Sequence, residues 1–295
     1  MKTISRFKRR VLCGAMLALP ALLAANSAQA ETRSIKIGWT AWSDAEAITN
    51  IAKLVLEQKL GYKVELVMTD VALQYQGVAK GQLDAMLMAW LPNTHKAYME
   101  KFGADLVDLG ALYDNAKLGW IVPDYVPASV KTIADLAKPE YASKFGGKIQ
   151  GIDQGSGLMR LSTQTVKDYG LESSYKLVSA SDAAMVLSID KAVRKQEWIV
   201  ATAWNPHWLF SKYKMRYLED PKKSLGGAEA IHALGRKGLD ADEPKAAAFI
   251  RNLKISISDL ETVMLKAKES SYSAEAQKYI DSHPQLVDSW LKDSR

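Results

Sequence analysis

The sequence has almost no cysteine. Its single one, Cys13, falls in the first 30 residues, so the chain from residue 31 onward has none. That excludes disulfides, thiol catalysis and cysteine-held metal from the remaining 265 residues, a length that can bury its own core without such staples. Long apolar runs are also missing: beyond residue 30 no stretch reaches the ~20 residues that a membrane span needs. Excess charge is missing once the start of the chain is set aside. Lys and Arg total 39 against 33 Asp and Glu, but Lys2, Arg6, Lys8, Arg9 and Arg10 stand in the first ten positions, and the remaining 34 leave a balance of about +1. No basic stripe survives, so a nucleic-acid partner is not expected. Catalytic strings are absent too: no G-x-S-x-G, H-E-x-x-H or G-x-x-x-x-G-K-[ST] occurs. The four histidines (His95, His207, His232, His283) include no pair at metal-ligand spacing on one helix. No catalytic residue, metal or cofactor is expected.

What is present begins with a leader. MKTISRFKRR is basic and acid-free, VLCGAMLALPALLAA is apolar but short, and Ala28-Gln29-Ala30 is a small-x-small cleavage pattern. Residues 1–30 therefore read as a secretory signal peptide cut after Ala30, giving a soluble exported protein.

The mature chain carries one pattern twice. SIKIGWTAW alternates as a strand, and Ser43 to Glu46 reads as a capping box opening a helix that Gly61 ends. VELVMT is a strand, DVALQYQGVAKG a helix and AMLMAW a strand. KIQGID, LMRLSTQTVKDYG, YKLVSA, SDAAMVLSIDKAVRK and WIVATAW repeat this order at an offset of 114 positions. Two βαβαβ units imply an α/β chain with two lobes, residues 31–120 plus 215–295 and residues 121–214. Between the units, IVPDYVP reads as a crossing strand and Pro127 to Ala137 as a short helix entered through Ser129. Lys214 to Asp220 reads as polar connection, SLGGAEAIHALGRKG as a returning strand, and the chain from Pro244 onward as helical. Two crossings make a hinge.

Ligands of open α/β sheets sit beyond the carboxyl ends of the strands. Trp42, Trp90 and Trp204 all fall at such ends, in TAW, AWLPNTH and AWNPHWL. Trp39 alternates with Ile35 and Ile37 and reads as core or as backing for the site. A quaternary ammonium has no N–H to hydrogen-bond, but aromatic faces attract it by roughly 0.5–2 kcal/mol per ring. Gly155-Ser156-Gly157-Leu158 opens a helix whose free N–H groups and positive dipole end suit an anion, and His95 could donate to the same anion. A cation cage beside a carboxylate seat fits a small zwitterion with a permanently alkylated nitrogen.

TAWSDAE, MAWLPNTHKAY, GIDQGSGLM and ATAWNPHWLFSKYKMRYLEDPKKSLGGAEAIHALGRKG resemble the glycine betaine-binding proteins of osmoprotectant ABC importers across essentially the whole mature chain. The resemblance implies the two-lobed periplasmic-binding-protein fold, each lobe a mostly parallel sheet flanked by helices, with the ligand cleft between lobes. It implies a tryptophan box of Trp42, Trp90 and Trp204 around the trimethylammonium. It implies a carboxylate held by the backbone amides of Gly157 and Leu158 and by His95. It also implies a monomeric periplasmic receptor, not an enzyme, that delivers its ligand to a membrane permease. Choline-binding relatives carry an acidic residue where this chain has Ala41 and lack the histidine, which disfavours choline. Proline betaine and carnitine stay open, and an enzyme acting on a quaternary amine is the remoter alternative.

Overall fold

The computed structural model describes residues 33–294; the leader reading, with Cys13, lies outside them. The first unit is β1 (Ser34–Trp39), α1 (Ser43–Leu60), β2 (Lys63–Met68), α2 (Val71–Ala79) and β3 (Ala85–Leu91). After α3 (Lys96–Phe102) comes an 18-residue strand, β4 (Leu106–Pro123), and then α4 (Pro139–Lys144). The second unit is β5 (Lys148–Gln150), α5 (Gly157–Asp168), β6 (Lys176–Val178), α6 (Asp182–Lys195) and β7 (Val200–Asn205). The chain returns through α7 (Leu209–Lys212), β8 (Met215–Tyr217) and β9 (Glu229–Arg236). It closes with α8 (Leu239–Asp242), α9 (Pro244–Asn252), α10 (Ile257–Ala267), α11 (Tyr272–Ser282) and α12 (Pro284–Trp290).

The strand order is β2-β1-β3-β9-β4-β7-β5-β6, with β8 paired to β4. β1 pairs parallel with β2 and β3, and β5 pairs parallel with β6 and β7. The two triplets are mirror-ordered about β9 and β4, and β1 and β5 begin 114 positions apart, at Ser34 and Lys148. The repeat seen in the sequence is thus a repeat of topology. β9 and β4 are antiparallel insertions between the triplets. β4 belongs to both: its Leu106–Ala116 stretch pairs with β9 and its Lys117–Ile121 stretch with β7. Asn115, at φ 62°, stands two residues before Lys117, where the change of partner begins.

Burial explains the elements that set up the site. β3 (AMLMAWL) is buried through Trp90 and β7 (VATAWN) through Trp204. Both are covered on two faces, which is why they read as continuous apolar runs rather than alternation. α1 buries Ala47, Ile48, Ile51, Ala52, Val55 and Leu56 at helical spacing and ends at Gly61 in the left-handed region, φ 73°.

Four local expectations are corrected. Ser43 does not cap α1; Trp42 is the N-cap residue and makes no side-chain capping bond, and the Ser43 hydroxyl is drawn to Asp182, 139 positions away. The helix placed over Pro127 to Ala137 is a 3₁₀ turn over Ile133–Ala137, capped by Thr132 rather than Ser129; the Ser129 hydroxyl accepts from Tyr141 instead. The crossing strand starts at Leu106, well before Ile121, because its polar residues face outward while Leu109, Leu112 and Tyr113 are buried. The polar stretch after Lys214 contains β8, held by pairing to β4 rather than by any pattern of its own.

Candidate functional site

All six residues singled out in the sequence line one cavity of about 280 Å³, together with Thr94, Leu118, Ile152 and Ser156. None of these ten residues is Lys, Arg, Asp or Glu. Trp39, half-buried, is not among them.

The three indoles reach the cavity from different elements. Trp90 is in β3, Trp204 in β7, and Trp42 immediately precedes α1. The rings of Trp42 and Trp204 face one another at 6.4 Å between centroids, tilted by 57°. Each is oriented from behind. Trp42 Nε1–H donates to Asp153 Oδ2 at 2.8 Å, and Trp204 Nε1–H donates to Asp44 Oδ1 at 3.0 Å. Asp44 also accepts from the Tyr113 hydroxyl at 2.9 Å. Burial is the largest influence on Asp44 and pushes its carboxyl up to about 6, against the pull of the Tyr113 and Trp204 hydrogen bonds. His207 stands edge-on to Trp204 at 4.7 Å and is wholly buried. Its Nδ1 accepts from the Leu209 N–H and its Nε2 faces Asp182 Oδ1 at 3.0 Å, so the ring donates to Asp182 and wedges Trp204 in place. The side chains of Asp44, Asp153, Asp182 and His207 thus orient the indoles of Trp42 and Trp204, and the sequence offers no sign of it: the partners are 25 to 160 positions apart.

The opposite wall is made of donors. Ser156 caps α5 by accepting from the Met159 N–H, and the Arg160 N–H goes to the Ser156 carbonyl. The N–H groups of Gly157 and Leu158 are left without partners among the described residues, as the first turn of a helix dictates. His95 joins them. Its Nδ1 accepts from the Trp90 N–H at 3.1 Å and faces the Tyr75 hydroxyl at 3.2 Å, so the proton of the neutral ring sits on Nε2. Burial, aided by the nearby Arg160 charge, lowers its pKa to about 3, which keeps the imidazole neutral at ordinary pH. No hydrogen bond of Nε2 occurs among the described residues.

Close approach brings this wall together. A Cβ on Gly157 would stand 2.6 Å from the Thr94 carbonyl oxygen and 3.0 Å from His95 Cδ2. Only glycine lets α5 meet the turn after β3 so tightly. The Tyr98 hydroxyl donates to the Gly155 carbonyl at 2.6 Å, and Arg160 Nη2 donates to the Thr94 carbonyl at 3.0 Å. Glu229, on β9, holds the turn by accepting from the N–H groups of Asn93 and Thr94 and from the Thr94 hydroxyl.

Residues 33–282 match the family described as the substrate binding domain of ABC-type glycine betaine transport systems. The chain belongs to this family. Its fold matches two solved members closely. Lactococcal OpuAC, in a closed-liganded conformation complexed with glycine betaine, is 33% identical, with a TM-score of 0.82 over 88% of this chain and 99% of that one. The glycine/betaine/L-proline-binding protein ProX from Borrelia burgdorferi is 34% identical, with a TM-score of 0.83 over 88% and 97%. A choline binding protein in complex with choline, 23% identical with a TM-score of 0.81, shares the fold. Among curated proteins, the glycine betaine/carnitine transport binding protein GbuC of Listeria monocytogenes serotype 1/2a (strain 10403S) is 36% identical over 156 residues. That match spans about half the length of the curated relative, 52% of it and 52% of this chain. The family is defined by substrate binding for transport, not by a reaction. Among the described residues, no helix is long and apolar enough to cross a membrane, and no group of acidic, histidine or cysteine side chains is placed to hold a metal.

Proposed function

We propose that this chain is a periplasmic receptor, exported through its leader and acting as a monomer, that binds glycine betaine and hands it to an ABC permease. One observation carries the reading: a small cavity with three indoles on one side and three unpaired N–H donors on the other. In this reading Trp42, Trp90 and Trp204 surround the trimethylammonium, while the amides of Gly157 and Leu158 and the Nε2–H of His95 hold the carboxylate. Neutral donors suit that task, because a carboxylate accepts well from N–H groups without importing a second buried charge. Residues 31–120 plus 215–295 and residues 121–214 act as two lobes hinged where the chain crosses near Trp120 and returns near Lys214. Trp42, Trp90 and His95 belong to the first, Trp204, Gly157 and Leu158 to the second. Neither half surrounds the ligand alone, so binding favours the closed arrangement.

The site geometry speaks against catalysis. Ser43, His207 and Asp182 lie together, but the hydroxyl and the carboxylate face the same ring nitrogen, Nε2, at 3.5 and 3.0 Å. An acyl-transfer triad needs them on opposite nitrogens, and here Nδ1 is occupied by the Leu209 N–H. Carnitine and proline betaine share both charged groups and remain candidate ligands; choline offers no carboxylate to the donor wall. Calorimetry with the purified receptor tests this. Glycine betaine binding well below choline in Kd supports it; choline binding without betaine binding would overturn the carboxylate seat. Recovery of chemically altered betaine after long incubation would overturn the receptor reading.

A further inference from the structure

The tryptophans of the described chain differ in what their indole N–H groups meet. Trp120 donates to the Ser162 hydroxyl and Trp208 to the Ser43 hydroxyl, both at 3.0 Å, and the indole N–H of buried Trp290 has no hydrogen-bond partner among the described residues. None of these three lines the cavity. Of the cavity tryptophans, Trp42 and Trp204 donate to carboxylates, those of Asp153 and Asp44. Neither carboxylate is in an ion pair with a lysine or arginine among the described residues, and Asp44 is completely buried. Asp182, nearly as buried, is by contrast supplied by the Ser43 N–H, the Ser43 hydroxyl and His207. Keeping Asp44 buried as a charge without a lysine or arginine partner is costly.

The two carboxylates have an electrostatic effect in the cavity. A charge-assisted hydrogen bond polarises its donor, moving electron density from the N–H into the indole and deepening the negative potential on its face. The buried carboxylate of Asp44 also contributes its own field, weakly screened at the low local dielectric of its surroundings. Both effects attract a cation and do nothing for a neutral group of the same shape.

Resting on the proposed betaine site, we infer that Asp44 and Asp153 are positioning residues that set selectivity for a cationic head over a neutral isostere, acting through the Trp204 and Trp42 rings. They supply the missing half of the recognition: the rings provide the shape, and the carboxylates behind them provide the sign of charge.

The test compares glycine betaine with 3,3-dimethylbutanoate, which replaces the quaternary nitrogen by carbon and keeps the methyl groups and the carboxylate. Betaine affinity is read by calorimetry and that of dimethylbutanoate by competition against betaine, in wild type, Asp44→Asn and Asp153→Asn. Asparagine can still accept from the indole, so the geometry is kept and the charge removed. Each variant is expected to weaken betaine by roughly five- to tenfold, on the scale of one cation–π contact, and to leave dimethylbutanoate within about twofold. Equal losses for both ligands would reduce the aspartates to packing, and no loss for either would remove them from recognition; each result overturns the inference. Wild-type protein that binds neither ligand overturns the betaine site itself, and this inference with it. Thermal melting of each ligand-free variant checks its fold, and Asp153, half-buried, carries the comparison if Asp44→Asn does not fold.

Discussion

Gly157→Ala puts the closing of the site under the sharpest strain. The added methyl would lie 2.5 Å from the Thr94 methyl and 2.6 Å from the Thr94 carbonyl oxygen. Ordinary van der Waals contact begins near 3.4 Å, so one side must retreat by roughly 0.8 Å, a shift large enough to unseat packed atoms. Thr94 has little freedom to move. Its N–H and hydroxyl are bound to Glu229, and its carbonyl accepts from Arg160. The displacement therefore falls on the approach of α5 to the turn after β3, where the Tyr98–Gly155 and Arg160–Thr94 bonds would loosen. Overpacking of this kind costs ~1–3 kcal/mol, which at about 1.4 kcal/mol per decade is a loss of roughly five- to 150-fold in betaine affinity. In the proposed two-lobe reading, ligand-free stability should change much less, because the clash would arise only on closure of the lobes. Gly155→Ala is the internal control: a Cβ there meets nothing within 4 Å, and its affinity should match wild type. Calorimetry on the two variants, with melting temperatures alongside, decides. Wild-type affinity in Gly157→Ala, or an equal loss in Gly155→Ala, would refute the close-approach argument.

Other expectations follow from the same geometry. Trp90→Ala should weaken glycine betaine at least tenfold, given ~1–2 kcal/mol for a desolvated ring; unchanged affinity by calorimetry would take Trp90 out of the cage. His95→Ala should cost glycine betaine more than choline, and by the same factor at pH 5.5 and pH 8, since burial holds the imidazole at about 3 and neutral across that range. An equal loss for both ligands would make His95 structural. Asp44→Asn should stabilise the ligand-free protein at pH 8. The native carboxyl, at about 6 against an ordinary 3.8, binds protons that the unfolded chain has already lost. Its contribution to stability is therefore present at low pH and lost as pH rises from about 4 through 6, a cost of about 3 kcal/mol at ~1.4 kcal/mol per pKa unit. Denaturant unfolding at pH 8 and pH 4.5 should show the variant's advantage shrinking on acidification; an advantage that grows would reverse the sign of the argument.

The legible and illegible parts of this molecule divide by range. Strands β3 and β7 announce themselves because burial on both faces writes a continuous apolar run, and the tryptophan closing each run marks the carboxyl end where ligands sit. The glycine turn is legible for a related reason: a helix start leaves free N–H groups wherever it occurs. Ser43 shows the opposite case. Its local string fits a capping box, yet a buried carboxylate on α6 takes its hydroxyl, and one sequence holds no trace of a bond across 139 positions. The same holds for Asp44, Asp153 and Glu229, whose carboxylates look like ordinary surface acids until the chain folds. His207 carries no local signal that separates it from a core histidine; in three dimensions its ring stands edge-on to Trp204. β8 and the long β4 escaped because antiparallel partners, not internal periodicity, define them.

The most direct measurement is a crystal structure of the protein grown with glycine betaine. The account predicts the trimethylammonium between the rings of Trp42, Trp90 and Trp204, and the carboxylate within hydrogen-bond distance of the Gly157 and Leu158 amides and of His95 Nε2. A ligand seated in the reverse orientation, or bound outside this cavity, would contradict it.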